Sequence, residues 1–170
     1  MRLFKIAFLD RDGVLNSKKI NKGYIGNIKD FKWIKGAKKS IKYLKKKNYK
    51  IVIVTNQSGV ARGYFTIKDV HKLHNYLKEE LIKFGTKVDK IYFCPFHIDG
   101  VVSKYKKKSN LRKPDIGMFR KAKKKWNIDI KSSFMIGDQK TDMEFAKKAK
   151  IKGYMFKKKN LFQFVKQILN

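Results

Sequence analysis

Two aspartates two residues apart stand directly after an apolar run, in Ile6-Ala7-Phe8-Leu9-Asp10-Arg11-Asp12-Gly13-Val14-Leu15. A short apolar run that stops at a polar residue and a glycine reads as a buried strand, with Asp10 where the strand emerges. Two carboxylates at the carboxyl end of a strand are suited to supply a nucleophile, a proton shuttle and a site for a hard cation. Alone, the pair is equally an ordinary turn. The reading turns on whether other segments deliver what these aspartates would need.

Three other segments do. The β-branched run over 49–54 ends at Thr55-Asn56-Gln57-Ser58-Gly59, a hydroxyl followed by backbone amides that can donate to a phosphoryl oxygen. Arg112-Lys113-Pro114 precedes a helical pattern and brings two cations to the same side. The run over 133–136 ends at Gly137-Asp138-Gln139-Lys140-Thr141-Asp142, which puts two acids near the rim. Ser58 is a tempting nucleophile, but no histidine is arranged with it in a triad.

The elements that must position these groups follow from periodicity. A polar loop is expected over 16–35, with Tyr24 and Ile25 folding over the site. A helix follows over 38–47, with Ile41 and Leu44 inward. Thr66, with Asp69 three residues later, reads as the cap of a helix that carries Val70, Leu73, Leu77 and Leu81 and stops at Gly85. A strand over 88–94 is stopped by Pro95, and a lysine-rich loop covers 96–111. Asp115 is expected to cap a helix reaching Trp126. Then come a helix over 140–148, a strand over 153–156 and a helix over 161–169. This alternation predicts an α/β fold: a three-layer, Rossmann-like parallel sheet with helices on both faces and ligands at the carboxyl ends of the strands. With no repeat, linker or second core, residues 1–170 read as a single domain.

Composition narrows the class. A chain of 170 residues with 42% hydrophobic residues suits one folded core and argues against disorder. No 18-residue apolar stretch is present, and the first strand begins too early to leave room for a signal peptide. Cys94 is the sole cysteine, which excludes an internal disulfide and points to a reduced cytoplasm. The formal charge is +31. Its carriers are nearly all lysine, spread in runs such as 45–47, 106–108, 123–125 and 157–159; the arginines are Arg2, Arg11, Arg62, Arg112 and Arg120. Nucleic-acid recognition favours arginine's planar fork, so the pattern reads as a solvated lysine surface whose field draws in anionic substrates.

The four segments, Asp10-Arg11-Asp12-Gly13, Thr55-Asn56-Gln57, Arg112-Lys113-Pro114 and Gly137-Asp138-Gln139-Lys140-Thr141-Asp142, closely resemble the haloacid dehalogenase-like phosphatase superfamily over essentially the whole chain. Together with Ser58-Gly59 and Ala61-Arg62-Gly63 they are most similar to its heptose bisphosphate phosphatases, with histidinol-phosphate phosphatases as near neighbours. The resemblance implies a Mg2+-dependent phosphatase. Asp10 attacks phosphorus and forms an aspartyl-phosphate. Asp12 protonates the leaving oxygen and later takes a proton from water, and its backbone carbonyl also faces the metal. Asp10, Asp12 and Asp138 hold Mg2+. Thr55 and Lys113 stabilise the transferring group. Asn56, Gln57, Ser58, Arg62 and Arg112 bind substrate, and Asp142 supports the waters on Mg2+ or Lys113.

The implied substrate is D-glycero-D-manno-heptose 1,7-bisphosphate, losing its 7-phosphate on the way to nucleotide-activated heptose for lipopolysaccharide. The protein is implied to be a cytoplasmic monomer with no membrane or nucleic-acid partner. Histidinol phosphate and a nucleic-acid 3′-phosphate are the enzymatic alternatives, and a non-enzymatic nucleic-acid-binding module is the rival of a different class. One departure concerns zinc. The resembling phosphatases carry a loop with three cysteines and a histidine, whereas this chain offers only Cys94 and His97. Four ligands are needed for a structural site, so no zinc is expected, and the loop over 96–111 must be held by packing of Phe96, Val101, Val102 and Tyr105. A second departure is Gln139 where lysine often follows the motif aspartate. Neither gap between motifs is long enough for a cap domain.

Overall fold

The structure, a computed structural model, describes residues 2–170. The apolar run after Phe4 becomes β1 (Lys5–Leu9) and lies at the centre of a parallel five-stranded sheet. The other strands are β2 (Tyr49–Asn56), β3 (Lys90–Cys94), β4 (Phe134–Gly137) and β5 (Lys152–Met155), in the spatial order β3-β2-β1-β4-β5. The helices are α1 (Ala37–Lys46), α2 (Ile67–Lys83), α3 (Gly117–Lys125), α4 (Lys140–Lys148) and α5 (Leu161–Leu169).

Strand alternation explains why the central runs are apolar throughout. Ala7, Leu9, Ile51 and Ile53 face one layer, packed with Ile41, Leu44, Leu73, Leu77, Leu161 and Val165 from α1, α2 and α5. Ile6, Phe8, Val52 and Val54 face the other, packed with Met118, Phe119, Phe145 and Ala146 from α3 and α4. A strand buried on both faces has no solvent side on which polar residues could alternate. The expected α/β, three-layer fold is therefore present, and among the described residues no cap domain interrupts it. From β1 the chain crosses to β2 on one side and, later, β4 pairs on the other. That divergence leaves a crevice at the carboxyl end of β1.

Several local expectations are corrected. β2 runs two residues past Val54, because Thr55 and Asn56 still pair with Phe93 and Cys94 of β3. Asp115 does not cap α3: the Gly117 amide that opens the helix donates to Asn110 O at 2.8 Å, and Asp115 instead pairs with Lys148 at 3.1 Å. Ile25 does not fold over the site but lies under it, fully buried in the core. Tyr24 packs on Tyr64, with ring centroids 4.9 Å apart. The 96–111 loop is held less by side chains than expected, since Val101 is 76% exposed. Instead, the Val101 and Val102 amides both donate to Ala61 O, at 2.8 and 3.0 Å.

The cap of α2 forms as its spacing requires. The Thr66 hydroxyl accepts from the Asp69 amide at 3.2 Å, and the Asp69 carboxylate accepts from the Thr66 amide at 2.7 Å. Removing this cap with Thr66→Ala should lower unfolding free energy by about 1 kcal/mol, read from urea denaturation of the two proteins. An unchanged midpoint would show that the exposed capping box contributes nothing.

Candidate active site

Asp10 is the first residue past β1, and its amide still donates to Ile136 O of β4 at 3.0 Å. Asp138 is the first residue past β4. Because the two strands are adjacent, their exits bring the two carboxylates together. Asp10, Asp138 and Asp142 each present an oxygen within 4.8 Å of the others, the arrangement of a hard-cation site. Two glycines make the close approach possible. A Cβ on Gly13, which has φ +87°, would lie 2.1 Å from Asp138 Oδ2, and one on Gly137 would lie 2.1 Å from Asp142 Cβ.

The oxygens are not equivalent. Asp142 is buried in the first turn of α4 and fully engaged: Oδ2 accepts from the amides of Asp138 and Gln139 at 3.1 and 3.0 Å, and Oδ1 accepts from Lys113 Nζ at 2.7 Å. Asp10 Oδ1 accepts from the Arg11 amide at 2.8 Å and faces Lys113 Nζ at 3.1 Å. Asp138 Oδ1, by contrast, is buried with no partner in the protein. Its other oxygen meets the ammonium of Lys18 from the 16–35 loop. A buried carboxylate oxygen lacking a donor, beside a second carboxylate, fits a bound divalent cation well.

Lys113 is the counter-charge. It is 2% exposed, and Asn56 fixes its backbone by accepting from its amide at 2.9 Å and donating to its carbonyl at 3.1 Å. Burial alone pushes the ammonium down, but Asp10 and Asp142 outweigh it and the net shift is upward. Asp10 is pushed up to about 7, by burial first; Lys113 opposes the shift and Asp142, Asp12 and Asp138 reinforce it.

Asp12 points elsewhere. Its Oδ1 accepts from Arg11 Nε and Nη2 at 3.1 and 3.0 Å and from Asn16 Nδ2 at 2.9 Å, and Oδ2 accepts from Gln57 Nε2 at 2.9 Å. The side chain is thus outside the three-carboxylate group, so any part it takes in metal binding falls to its carbonyl. Thr55 is fully buried, and its Oγ1 accepts from Gln57 Nε2 at 2.9 Å, which leaves its own hydroxyl hydrogen free to donate.

The side-chain amides of Asn56 and Gln57, two residues expected to bind substrate, are engaged within the protein. Asn56 grips the Lys113 backbone, and Gln57 bridges Arg11, Asp12 and Thr55. Both position neighbours through their side chains. Ser58 is buried, and its carbonyl accepts from the Arg62 amide at 3.0 Å. Arg62 and Arg112 fit a substrate role better. Among the described residues neither has a carboxylate partner, and Arg62 Nε and Arg112 Nη1 are buried without acceptors. Burial, with Arg62 nearby, lowers the Arg112 guanidinium. Cys94 is buried and donates to Phe96 O, while His97 lies beside Arg62, with 3.4 Å between Nε2 and Nη2.

Sequence reasoning missed two residues. Arg11 is wholly buried and touches Asp12, Gln57, Ile25 O and His74. His74 lies on the buried stripe of α2 with Val70, Leu73 and Leu77. An arginine between two motif aspartates and a histidine on an apolar stripe were the available signals.

A parallel sheet that brings two strand-end aspartates, a third carboxylate and a buried lysine into one crevice is that of a haloacid dehalogenase-like phosphatase. The chain belongs to the polynucleotide kinase 3 phosphatase family, which matches residues 5–162. Among curated relatives, a Rhodopseudomonas palustris D-glycero-beta-D-manno-heptose-1,7-bisphosphate 7-phosphatase is 42% identical over 163 residues, 96% of this chain and 89% of its own. A Photorhabdus laumondii D-glycero-alpha-D-manno-heptose-1,7-bisphosphate 7-phosphatase is 40% identical over 147 residues, 86% of this chain and 79% of its own. The crystal structure of D,D-heptose 1,7-bisphosphate phosphatase from B. bronchiseptica, complexed with magnesium and phosphate, superposes with a TM-score of 0.80. It is 25% identical, with 97% of this chain and 87% of that one covered.

The Asp10 shift has a stability consequence in metal-free protein. The unfolded chain ionises this group near its ordinary 3.8, but the folded protein holds the proton up to about 7. The stability conferred by protonated Asp10 is therefore full below about 4 and lost as pH rises to about 7. In chelator, Asp10→Asn should melt higher than the parent protein at pH 8, and the gap should close by pH 4. A gap independent of pH would overturn this account.

Proposed function

We propose that the protein is a cytoplasmic, monomeric, Mg2+-dependent phosphatase that removes the 7-phosphate of D-glycero-D-manno-heptose 1,7-bisphosphate. Its product would feed nucleotide-activated heptose synthesis. The observation that carries the phosphatase reading is the Asp10–Asp138–Asp142 cluster closed on buried Lys113. The substrate reading is supported by relatives of that name at 40% identity and above.

Asp10 Oδ2, the oxygen not held by Lys113 and the Arg11 amide, attacks phosphorus. The bond from phosphorus to the sugar oxygen breaks, and Asp12 gives its proton to that oxygen. Water then attacks the aspartyl-phosphate and passes a proton back to Asp12, releasing inorganic phosphate and restoring Asp10. Lys113 and the Thr55 hydroxyl offset charge on the equatorial oxygens. Asp138, through its unpartnered Oδ1, together with Asp10 and the Asp12 carbonyl would hold Mg2+. The cation would neutralise charge between carboxylate and phosphate. Asp142 acts on Lys113 and on the turn that bears Asp138.

The second phosphate needs its own donors. Arg62 and Arg112, buried at one nitrogen each and lacking carboxylate partners, would grip it in bidentate fashion. A cleft of about 610 Å³ bordered by Asp138 is walled by Lys18, Lys19, Lys35 and 157–159, and its field would draw the polyanionic bisphosphate inward. We also infer that no zinc is held: Cys94 and His97 are the only cysteine and histidine from β3 to α3, and each already bonds to the chain.

Turnover should be greatest with heptose 1,7-bisphosphate in a comparison that includes histidinol phosphate and a 3′-phosphorylated oligonucleotide, and Asp10→Asn should reduce it roughly a thousandfold or more. Preference for the oligonucleotide would assign the protein the activity in its family's name. The two anomers should be compared separately, since both occur among the relatives. Elemental analysis of purified protein should find no stoichiometric zinc, and one zinc per chain would reverse that inference.

A further inference from the structure

One buried polar residue takes no part in the chemistry above. His74 is 4% exposed on the inward stripe of α2, its ring edge-on to Phe93 with centroids 5.7 Å apart. A buried imidazole requires a hydrogen-bond partner. Its partner is Arg11 Nη1, 3.1 Å from Nε2. A guanidinium has only donors, so Arg11 donates and His74 accepts. Burial, with Arg11 adjacent, pushes the imidazole down to about 2, so the ring is neutral and free to accept.

The other nitrogens of Arg11 are committed as well. Nη2 donates to Ile25 O at 2.6 Å and to Gln57 Oε1 at 3.2 Å, and the Nε–Nη2 edge holds Asp12 Oδ1. A planar group fixed at three nitrogens cannot rotate. Released at Nη1, it stays tied along the Nε–Nη2 edge and can only tilt about that edge, which shifts the plane that meets Asp12. We infer that His74 is a positioning residue for the proton-transferring carboxylate: by accepting from Arg11 Nη1 it fixes the plane of the guanidinium that grips Asp12. The inference rests on the assignment of Asp12 as acid.

Loss of this contact has a signature that general destabilisation lacks. Protonation of the leaving oxygen matters in proportion to its basicity. A sugar alkoxide needs the proton, whereas 2,4-dinitrophenolate leaves without it. Release of the leaving group is followed in the first turnover, so that hydrolysis of the phosphorylated enzyme does not enter. His74→Leu should slow release from heptose 1,7-bisphosphate about tenfold with little change in KM, while release from 2,4-dinitrophenyl phosphate stays within about twofold. His74→Gln, whose Oε1 can accept from Arg11, should rescue the sugar reaction. Equal losses on both substrates, or no loss on either, would overturn the inference. If circular dichroism shows His74→Leu unfolded, His74→Ser, which keeps a polar atom but cannot reach Arg11, carries the same comparison. Asp12→Asn is the control. If it also fails to separate the two substrates, the acid assignment is at fault. If it separates them and the His74 variants do not, only the role of His74 falls.

Discussion

The ammonium of Lys113 lies out of water between Asp10 and Asp142, and much of the site is arranged around that fact. A buried cation is tolerated only while its partners are held in place. Asp10 comes from the end of β1, Asp142 from the first turn of α4, and Lys113 from the loop before α3. The sheet order, the β4–α4 turn and the grip of Asn56 on the lysine backbone all serve this meeting. Burial raises Asp10 first, and the excess of negative charge that three carboxylates leave over one lysine adds to that upward shift. The same excess strains the metal-free protein and suits a divalent cation.

The two motif aspartates, identical in chemistry and two residues apart, are given different surroundings. Asp10 lies among carboxylates and a lysine; Asp12 is wrapped by a guanidinium and two side-chain amides. That difference in environment, not in residue type, is what suits the two to the separate roles proposed for them, nucleophile and proton carrier. Gln57 links the two sides, since its amide donates both to Asp12 and to Thr55, whose own hydroxyl hydrogen stays free to donate.

The loops over 16–35 and 96–111 border this chemistry, through Lys18 at Asp138 and His97 at Arg62. Both are held by backbone hydrogen bonds, as where Val101 and Val102 share Ala61 O. The lysine-rich exterior is built differently. Many of its ammonium groups lie over aromatic rings, as Lys5 does over Tyr49 at 4.6 Å, stems along apolar surface and heads toward water. Such a surface concentrates anions without distinguishing them.

The order of strands and helices, the covered parallel sheet and the motif residues Asp10, Asp12, Thr55, Lys113 and Asp138 were legible in the linear sequence. Runs buried on both faces, helical periodicity and capping spacings are local signals, and strand-end motifs inherit their location from them. Partners far apart in sequence were not legible. That the side chains of Asn56 and Gln57 engage Lys113 and Asp12 depends on where their amides point once β2 extends to pair with β3. That Asp115 turns to Lys148 depends on the approach of Asn110 to the start of α3. His74 offered only a helical position on an apolar stripe; its acceptance from Arg11, 63 residues away, exists only after α2 packs beneath the loop that carries Ile25. The sequence alone determined which chemistry is present, because that chemistry resides in residue types at strand ends. The tertiary structure decided which oxygen is free and which side chain holds another in place, because hydrogen-bond capacity is allotted among neighbours that only folding brings together.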